Sequence, residues 1–260
     1  MSFFSRLLTG TAACAATATM LLGAAPASAD DLDTIKEAGV IRIAMSGAYP
    51  PFNFVNERNE VVGFDPAIGA EIAKRMGVKA EIVTTPFDGI IGGLLANKFD
   101  AVVGSMSITE ERQKVVDFVG PYYNTRRGIF ALPDNKVKSV DDLKDAKVGV
   151  TLGETHDQWT REQGYDVRTY KGLPELLMEL ENGRVDAIVN DDIPVMIAIK
   201  EGQTKAVEID YPEAETFAAG IAIRKDNPAL AAEMQKALDA MMEDGTYLAI
   251  ANEWVGGDIR

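Results

Sequence analysis

Cysteine and histidine are almost missing from this chain: Cys14 and His156 stand alone among 260 residues. One histidine and one cysteine cannot build a metal cluster of the usual spacing, and disulfide pairing within the chain is excluded. Basic runs are missing too. None is longer than Arg126-Arg127, in a chain of net charge −14. A nucleic-acid partner calls for a basic face, so that class is set aside, and the acidity is read as solvated surface. There is no G-x-S-x-G elbow, no phosphate-binding G-x-x-x-x-G-K-[ST] loop and no G-x-G-x-x-G fingerprint. No serine has a base partner at credible spacing. These absences point away from common hydrolase, nucleotide and redox chemistry, and neither a cofactor, a metal nor a catalytic residue is expected.

The first 29 residues differ from the rest. Arg6 is followed by a run rich in Leu, Ala and Thr, and Ala27-Ser28-Ala29 supplies small residues before Asp30. That pattern reads as a secretory leader over 1–29, cleaved before Asp30. A membrane anchor would need a longer apolar stretch. Lipidation at Cys14 is the minor alternative, because Thr11-Ala12-Ala13 lacks the leucine-like residue usual before a lipidated cysteine. Without the leader, the chain carries no thiol.

From Asp30 onward, short apolar strands alternate with amphipathic helices. Strands are expected at 40–44, 81–84, 101–103, 147–150 and 187–189. Helices are expected at 65–76, 88–97, 173–182, 191–200 and from Asn227-Pro228 to Met242, with Asp226 or Asn227 as its cap. Such alternation means βαβ units and mostly parallel sheets. Two echoes suggest two similar lobes. Lys98-Phe99-Asp100-Ala101-Val102-Val103-Gly104 matches Arg184-Val185-Asp186-Ala187-Ile188-Val189-Asn190, and the stretch from Ile41 to Gly47 more weakly matches Val148 to Gly153. Ligands of open α/β sheets bind beyond the carboxyl ends of strands. That rule points to 46–49, 104–107, 153–156 and 190–192.

Several residues there carry usable chemistry. Ser105 to Arg112 joins a strand end to a helix start, with Thr109 or Ser107 as cap and capping-box spacing between Ser107 and Glu110. Free N–H groups at a helix start attract anions, and Arg112 adds a forked cation that matches a carboxylate. An ordinary capped surface helix is the equal alternative. Tyr49 and Phe87 follow strands and can sandwich a side chain, although plain packing is commoner for any one aromatic. Asp191 could receive an ammonium or cap the helix that follows, and Asp192 beside it could take the other job. Glu154 with His156 could form an acid–base pair, but a helix start without a catalytic role is the favoured reading.

Taken in order, Ala48-Tyr49-Pro50-Pro51-Phe52, Val62-Gly63-Phe64-Asp65, Phe87-Asp88-Gly89, Phe99-Asp100-Ala101, Ser105 to Arg112, Gly183 to Ala187 and Asp244-Gly245-Thr246 resemble the periplasmic polar-amino-acid-binding proteins of ABC importers, the third family of bacterial solute-binding proteins. The likeness runs from about Leu32 to Trp254. It implies an α/β fold of two lobes joined by two hinge strands, the type II periplasmic binding protein fold, with the ligand cleft between the lobes. One lobe would hold 30–123 and 220–260, the other 124–219, with hinges near 124–127 and 216–219. Arg112 resembles the arginine that forks onto the ligand carboxylate, joined by Ser107 and Thr155. Gly104 and Ser105 stand where the ammonium is met, and Asp191 resembles its acidic partner. Tyr49 and Phe87 resemble the aromatic pair around the ligand side chain.

The resemblance also implies a periplasmic monomer that binds a free amino acid and serves a membrane permease. Ser46 and Glu154 depart from the pattern. Relatives that bind lysine, arginine or histidine have Asp where Ser46 stands, and relatives often have Ser, Thr or Asn where Glu154 stands. With Leu152 to Trp159 resembling cystine-binding members, a neutral polar ligand such as cystine or glutamine is expected. The competing expectation is a periplasmic dehydratase of the same fold acting on a prephenate-like acid through Glu154 and His156.

Overall fold

The computed structural model describes residues 30–260; the leader read over 1–29, with Cys14, lies outside the described residues. The chain opens with α1 (Asp31–Ala38) and β1 (Val40–Met45). Three short strands follow, β2 (Ala48–Tyr49), β3 (Asn53–Val55) and β4 (Val61–Val62), then α2 (Phe64–Arg75) and β5 (Lys79–Thr84). A 3-10 turn at Phe87–Gly89 leads into α3 (Ile90–Leu95), β6 (Ala101–Ser107), α4 (Glu110–Gln113) and the long β7 (Val116–Ala131). Next come β8 (Lys147–Thr151), α5 (Thr155–Glu162), β9 (Asp166–Tyr170), α6 (Leu173–Glu181), β10 (Ala187–Asp191), α7 (Asp192–Lys200) and β11 (Val207–Glu208). The chain ends with β12 (Thr216–Arg224), α8 (Pro228–Glu243) and α9 (Thr246–Trp254).

The periodicity behind these elements is visible in their burial. On α2, Phe64, Ile68 and Ile72 are fully buried, one face of a 3.6-residue repeat. All seven residues of β6 are buried, as expected of a strand covered on both sides. The helix expected over 88–97 is shorter than its pattern. Gly89, Gly92 and Gly93 weaken it, leaving a 3-10 turn and a six-residue helix that Asn97 ends at φ 56°.

The large sheet has the order β5-β1-β6-β12-β7-β10-β8-β9, with β11 also paired to β7. β1 pairs in parallel with β5 and β6, and β8 pairs in parallel with β10 and β9. Between these triplets stand β7 and β12, antiparallel to each other and to their outer neighbours. β7 runs through both halves: Val116 to Arg126 pair with β12, and Arg127 to Phe130 pair with β10. The chain therefore has a two-lobed α/β fold, one parallel unit on each side of two shared strands. Among the described residues, no helix is long and apolar enough to cross a membrane.

The first sequence echo has a structural cause. Asp100 accepts a hydrogen bond from the backbone N–H of Arg42 at 2.8 Å, and its own N–H donates to the Arg42 carbonyl at 2.9 Å. Asp186 does the same with Lys147, at 2.8 Å in both directions. In each half, the aspartate clamps the start of the central strand to the strand beside it.

The cap of α8 corrects the local expectation. Asn227 occupies the capping position, but its Oδ1 accepts from the N–H of Asp31 at 2.7 Å. The first N–H groups of α8, on Ala229 and Leu230, donate instead to the Asp30 carboxylate at 2.7 and 3.1 Å. Asp30 also caps α1 through the Leu32 N–H. One carboxylate thus caps two helices about 200 residues apart. Asp30→Ala is expected to cost about 1–2 kcal/mol of stability. An unchanged urea midpoint would count against the shared cap.

Candidate functional site

The four strand ends singled out by the sequence come together. β1 leads into Ser46 to Tyr49, β6 carries Gly104 to Ser107, β8 leads into Gly153 to His156, and β10 ends in Asn190-Asp191. Two glycines let the halves approach closely. A Cβ on Gly153 would stand 2.9 Å from the Asp88 Cα, and one on Gly172 would stand 2.4 Å from the Ala48 carbonyl oxygen.

Arg112 is placed by its cap. Thr109 Oγ1 accepts from the Arg112 N–H at 3.2 Å. The Ser107–Glu110 capping box does not form, because Ser107 belongs to β6 and Thr109 takes the cap. One Arg112 guanidinium nitrogen donates to the Ser107 carbonyl at 2.9 Å, and the other reaches across to the Gly153 carbonyl at 3.3 Å. Phe87 lies against the same group, its ring centroid 5.5 Å from the Arg112 Cζ. Burial lowers the guanidinium pKa, and the carboxylates of Glu154 and Asp191 oppose that effect. The group remains a cation.

Asp191 does not cap α7; its side chain makes no cap hydrogen bond. Asp192 takes the local work instead, accepting from the N–H of Ile193 at 2.8 Å and, on β7, from the N–H of Arg126 at 3.1 Å. Asp191, 6% exposed, accepts from the Tyr49 hydroxyl on one oxygen and meets His156 Nε2 at 3.1 Å on the other. Arg127 Nε donates to His156 Nδ1 at 3.4 Å, so the ring proton sits on Nε2 and is donated to Asp191. Arg127 is itself buried between Trp159 and Phe217, with its guanidinium carbon 4.7 and 5.0 Å from the two rings, and pairs with Glu215 at 3.1 Å. A polar chain thus runs from the strand shared by both halves to Asp191, and Tyr49 carries it across to the other half.

Ser46 and Ser105 are engaged elsewhere. Ser46 Oγ donates to Asn53 at 2.9 Å and accepts from the Ala48 N–H, so it shapes its own turn. Ser105, at φ 56°, donates through Oγ to Asp65 at 2.8 Å, and its N–H donates to the Tyr122 hydroxyl. Asp65 also accepts from Asn53 and Tyr122. Burial outweighs those hydrogen bonds and pushes its carboxyl up to about 6. This network holds Ser105 in a left-handed conformation that a non-glycine residue seldom adopts. Its backbone, with that of Gly104 beside it, is what Ser105 can offer a ligand.

Glu154 and Thr155 start α5 and line a cavity of about 460 Å³ with Ile91, Thr109, Arg112 and Gly153. Burial, and then the Asp191 charge, push the Glu154 carboxyl up to about 8. The Thr151 hydroxyl beside it works in the opposite direction through a hydrogen bond, and the Asn190 Nδ2 is buried without a partner.

Three residues of the site escaped the sequence reading: Tyr123, Thr151 and Arg127. Thr151 was within reach of it, since it occupies the end of β8 in the second echoed segment. Tyr123 and Arg127 lie in the middle of β7, where no local pattern separates a cleft residue from core.

The description "bacterial extracellular solute-binding proteins, family 3" matches residues 41–257. The chain is 36% identical over 238 residues to the L-cystine-binding protein TcyJ of Escherichia coli, covering 88% of this chain and 87% of the relative. It is 34% identical to the L-arginine-binding protein of Pseudomonas aeruginosa, covering 92% and 96%. Among solved structures, an ancestral arginine-binding protein bound to arginine matches at 38% identity and TM-score 0.78, covering 84% of this chain and 99% of that one. An ancestral amino acid-binding protein, described as a precursor of cyclohexadienyl dehydratase, matches at 36% identity and TM-score 0.81, covering 86% and 99%.

Proposed function

We propose, given that this chain belongs to family 3 of the bacterial extracellular solute-binding proteins, that it captures a free amino acid in the periplasm and delivers it to the permease of an ABC importer. The observation that carries this reading is the placement of one cation and one anion. Arg112 and Asp191 belong to different halves of the fold, yet lie within electrostatic reach of each other. A zwitterion needs that pair, and an enclosed cleft strengthens both contacts by removing water. Thr155 and the Ser107 hydroxyl are assigned to the ligand carboxylate, and the backbone of Gly104 and Ser105 to its ammonium. Tyr49 and Phe87 form the walls.

The lobes are 30–123 with 220–260, and 124–219; closure bends the chain near 124–127 and 216–219. The leader at 1–29 directs export, and the mature chain acts as a monomer. The ligand is a neutral polar amino acid, with L-cystine and L-glutamine the first to test. Ser46 supports this, since it brings no carboxylate to the pocket. Turnover of a prephenate-like acid finds less support, because both ring nitrogens of His156 are engaged, by Arg127 and Asp191. It is not free to act as a base.

The test is a thermal-shift panel of the twenty amino acids and L-cystine with the leaderless chain. A ligand at a hundredfold excess over its Kd adds about 2.7 kcal/mol of stability, a shift of several degrees. No shift with any of them would overturn the reading, and an aromatic product from prephenate would replace it with the enzymatic one.

A further inference from the structure

His156 is the single histidine of the chain, and it lies buried in the first turn of α5, 1% exposed. A neutral imidazole has one donor and one acceptor, and its neighbours decide which nitrogen is which. Here Arg127 decides. A guanidinium only donates, so Arg127 Nε at 3.4 Å makes His156 Nδ1 the acceptor and leaves the proton on Nε2. That proton faces Asp191 Oδ1 at 3.1 Å. The ring is fixed from two further sides. It stands edge-on to Phe217, 5.8 Å between centroids, and the His156 carbonyl accepts from the Thr160 hydroxyl at 2.6 Å.

Arg127 stands where the two shared strands part. β7 pairs with β12 up to Arg126 and with β10 from Arg127 onward, and Asp191 is the residue opposite Arg127 on β10. The Arg127 N–H donates to the Glu215 carbonyl at 2.9 Å, just before β12 begins. Its side chain lies between Trp159 of α5 and Phe217 of β12. One residue thus ties together both shared strands, the helix that carries His156, and the His156 ring. Asp191 in turn receives His156 on one oxygen and the Tyr49 hydroxyl, from the other half, on the second. A carboxylate with a donor on each oxygen cannot rotate without losing one of them, yet each oxygen keeps a lone pair for a further donor.

We propose that His156 and Arg127 are positioning residues for the ligand ammonium: Arg127, at the parting of the shared strands, fixes the Nε2–H form of His156, and His156 holds the Asp191 carboxylate in place to receive the ammonium. This rests on the amino-acid-capture reading and adds to it the residues that aim its anion. Both act through Asp191 and not on the ligand. Because Arg127 lies on the strands that bend on closure, the same contacts join the ammonium site to the hinge. His156→Leu leaves Asp191 with the Tyr49 hydroxyl alone, free to turn. Arg127→Met keeps an apolar stem between the two rings and leaves Glu215 in solvent, since that side chain is 59% exposed. It also frees Nδ1 to bind a proton, and an imidazolium beside Asp191 competes with the ligand ammonium for that carboxylate.

The experiment has two arms, both on the leaderless chain without added histidines. The first is ¹⁵N NMR of histidine-labelled protein at pH 7, where a single histidine gives a single ring to read. The wild type is expected to show a protonated Nε2 and a bare Nδ1, and Arg127→Met a larger protonated share of Nδ1. The second is displacement calorimetry of wild type, His156→Gln, His156→Leu and Arg127→Met. It compares L-glutamine, L-cystine and L-arginine, each with the same acid lacking α-ammonium groups. The ratio of the two affinities reads the ammonium contact, since packing lost elsewhere weakens both ligands alike. That ratio falls at least about tenfold in His156→Leu, the worth of one hydrogen bond to a charged group. His156→Gln restores most of it, because its amide donor stands where Nε2–H stood. Arg127→Met lowers it in the same direction.

A wild-type ring with its proton on Nδ1 overturns the assignment, and so does a His156→Leu ratio equal to that of wild type. A lower unfolding midpoint with the wild-type ratio kept makes the two residues structural supports only, which also overturns it. Each of these results leaves amino-acid capture standing. Absence of binding by all three amino acids, together with a flat thermal-shift panel, removes the capture reading and this assignment with it.

Discussion

Arg112→Ala is expected to weaken amino-acid binding by at least ~2 kcal/mol, roughly thirtyfold. The reason is the balance of charge in the cleft. Asp191 and the Glu154 carboxyl face the space that Arg112 shares, and the ligand brings a further carboxylate. Removing the guanidinium leaves that carboxylate buried without its cation. Arg112→Lys keeps the charge but loses the fork, so its affinity should fall between those of wild type and the alanine variant. Neither change should unfold the protein, because the guanidinium contacts two backbone carbonyls and one ring face. Titration calorimetry decides the matter. An Arg112→Ala affinity equal to wild type removes Arg112 from the carboxylate site.

Asp191→Ala is expected to cost more, on the order of 3 kcal/mol of binding energy and over a hundredfold in affinity, because breaking a buried ion pair strands the remaining charge. It also strands two protein donors. The Tyr49 hydroxyl and His156 Nε2 both end on Asp191. An unpaired buried donor costs about 1–3 kcal/mol, so the ligand-free protein should also lose stability. Asp191→Asn separates the two effects. It retains one carbonyl oxygen for Tyr49 or His156, so it recovers part of the stability while still lacking the charge for the ammonium. The expected pattern is a collapse of affinity in both variants and a larger drop in unfolding midpoint for alanine. An Asp191→Asn affinity within threefold of wild type would remove the ammonium role.

The sequence was most legible where the chemistry is local. Strand and helix periods placed the outer parallel strands β1, β5, β6, β8 and β10 and the helices between them, since apolar spacing responds directly to which face is buried, but not the long shared strands β7 and β12. The echoed Asp-Ala pair pointed to two similar halves, and Asp100 and Asp186 make the same clamp in each. Family-like spacing named Arg112 and Asp191 together with the turns that carry them. Local reasoning left alternatives open at the helix starts. The Ser107–Glu110 box, the cap of α8 and the choice between Asp191 and Asp192 were each settled by partners distant in the chain.

By itself, then, the amino-acid order determined the α/β class, the two-part plan and the family, because hydrophobic period and motif spacing are properties of contiguous residues. Only the tertiary structure decided which polar groups in the cleft are free. Ser46 and Ser105 look available in the sequence, yet Asn53 and Asp65 take their hydroxyls. Thr151 is unremarkable in the sequence, yet stands buried beside the Glu154 carboxyl. Hydrogen-bond satisfaction is a pairwise property of residues brought together by folding, and so is the desolvation that raises the Glu154 carboxyl. Neither can be read from spacing along a chain.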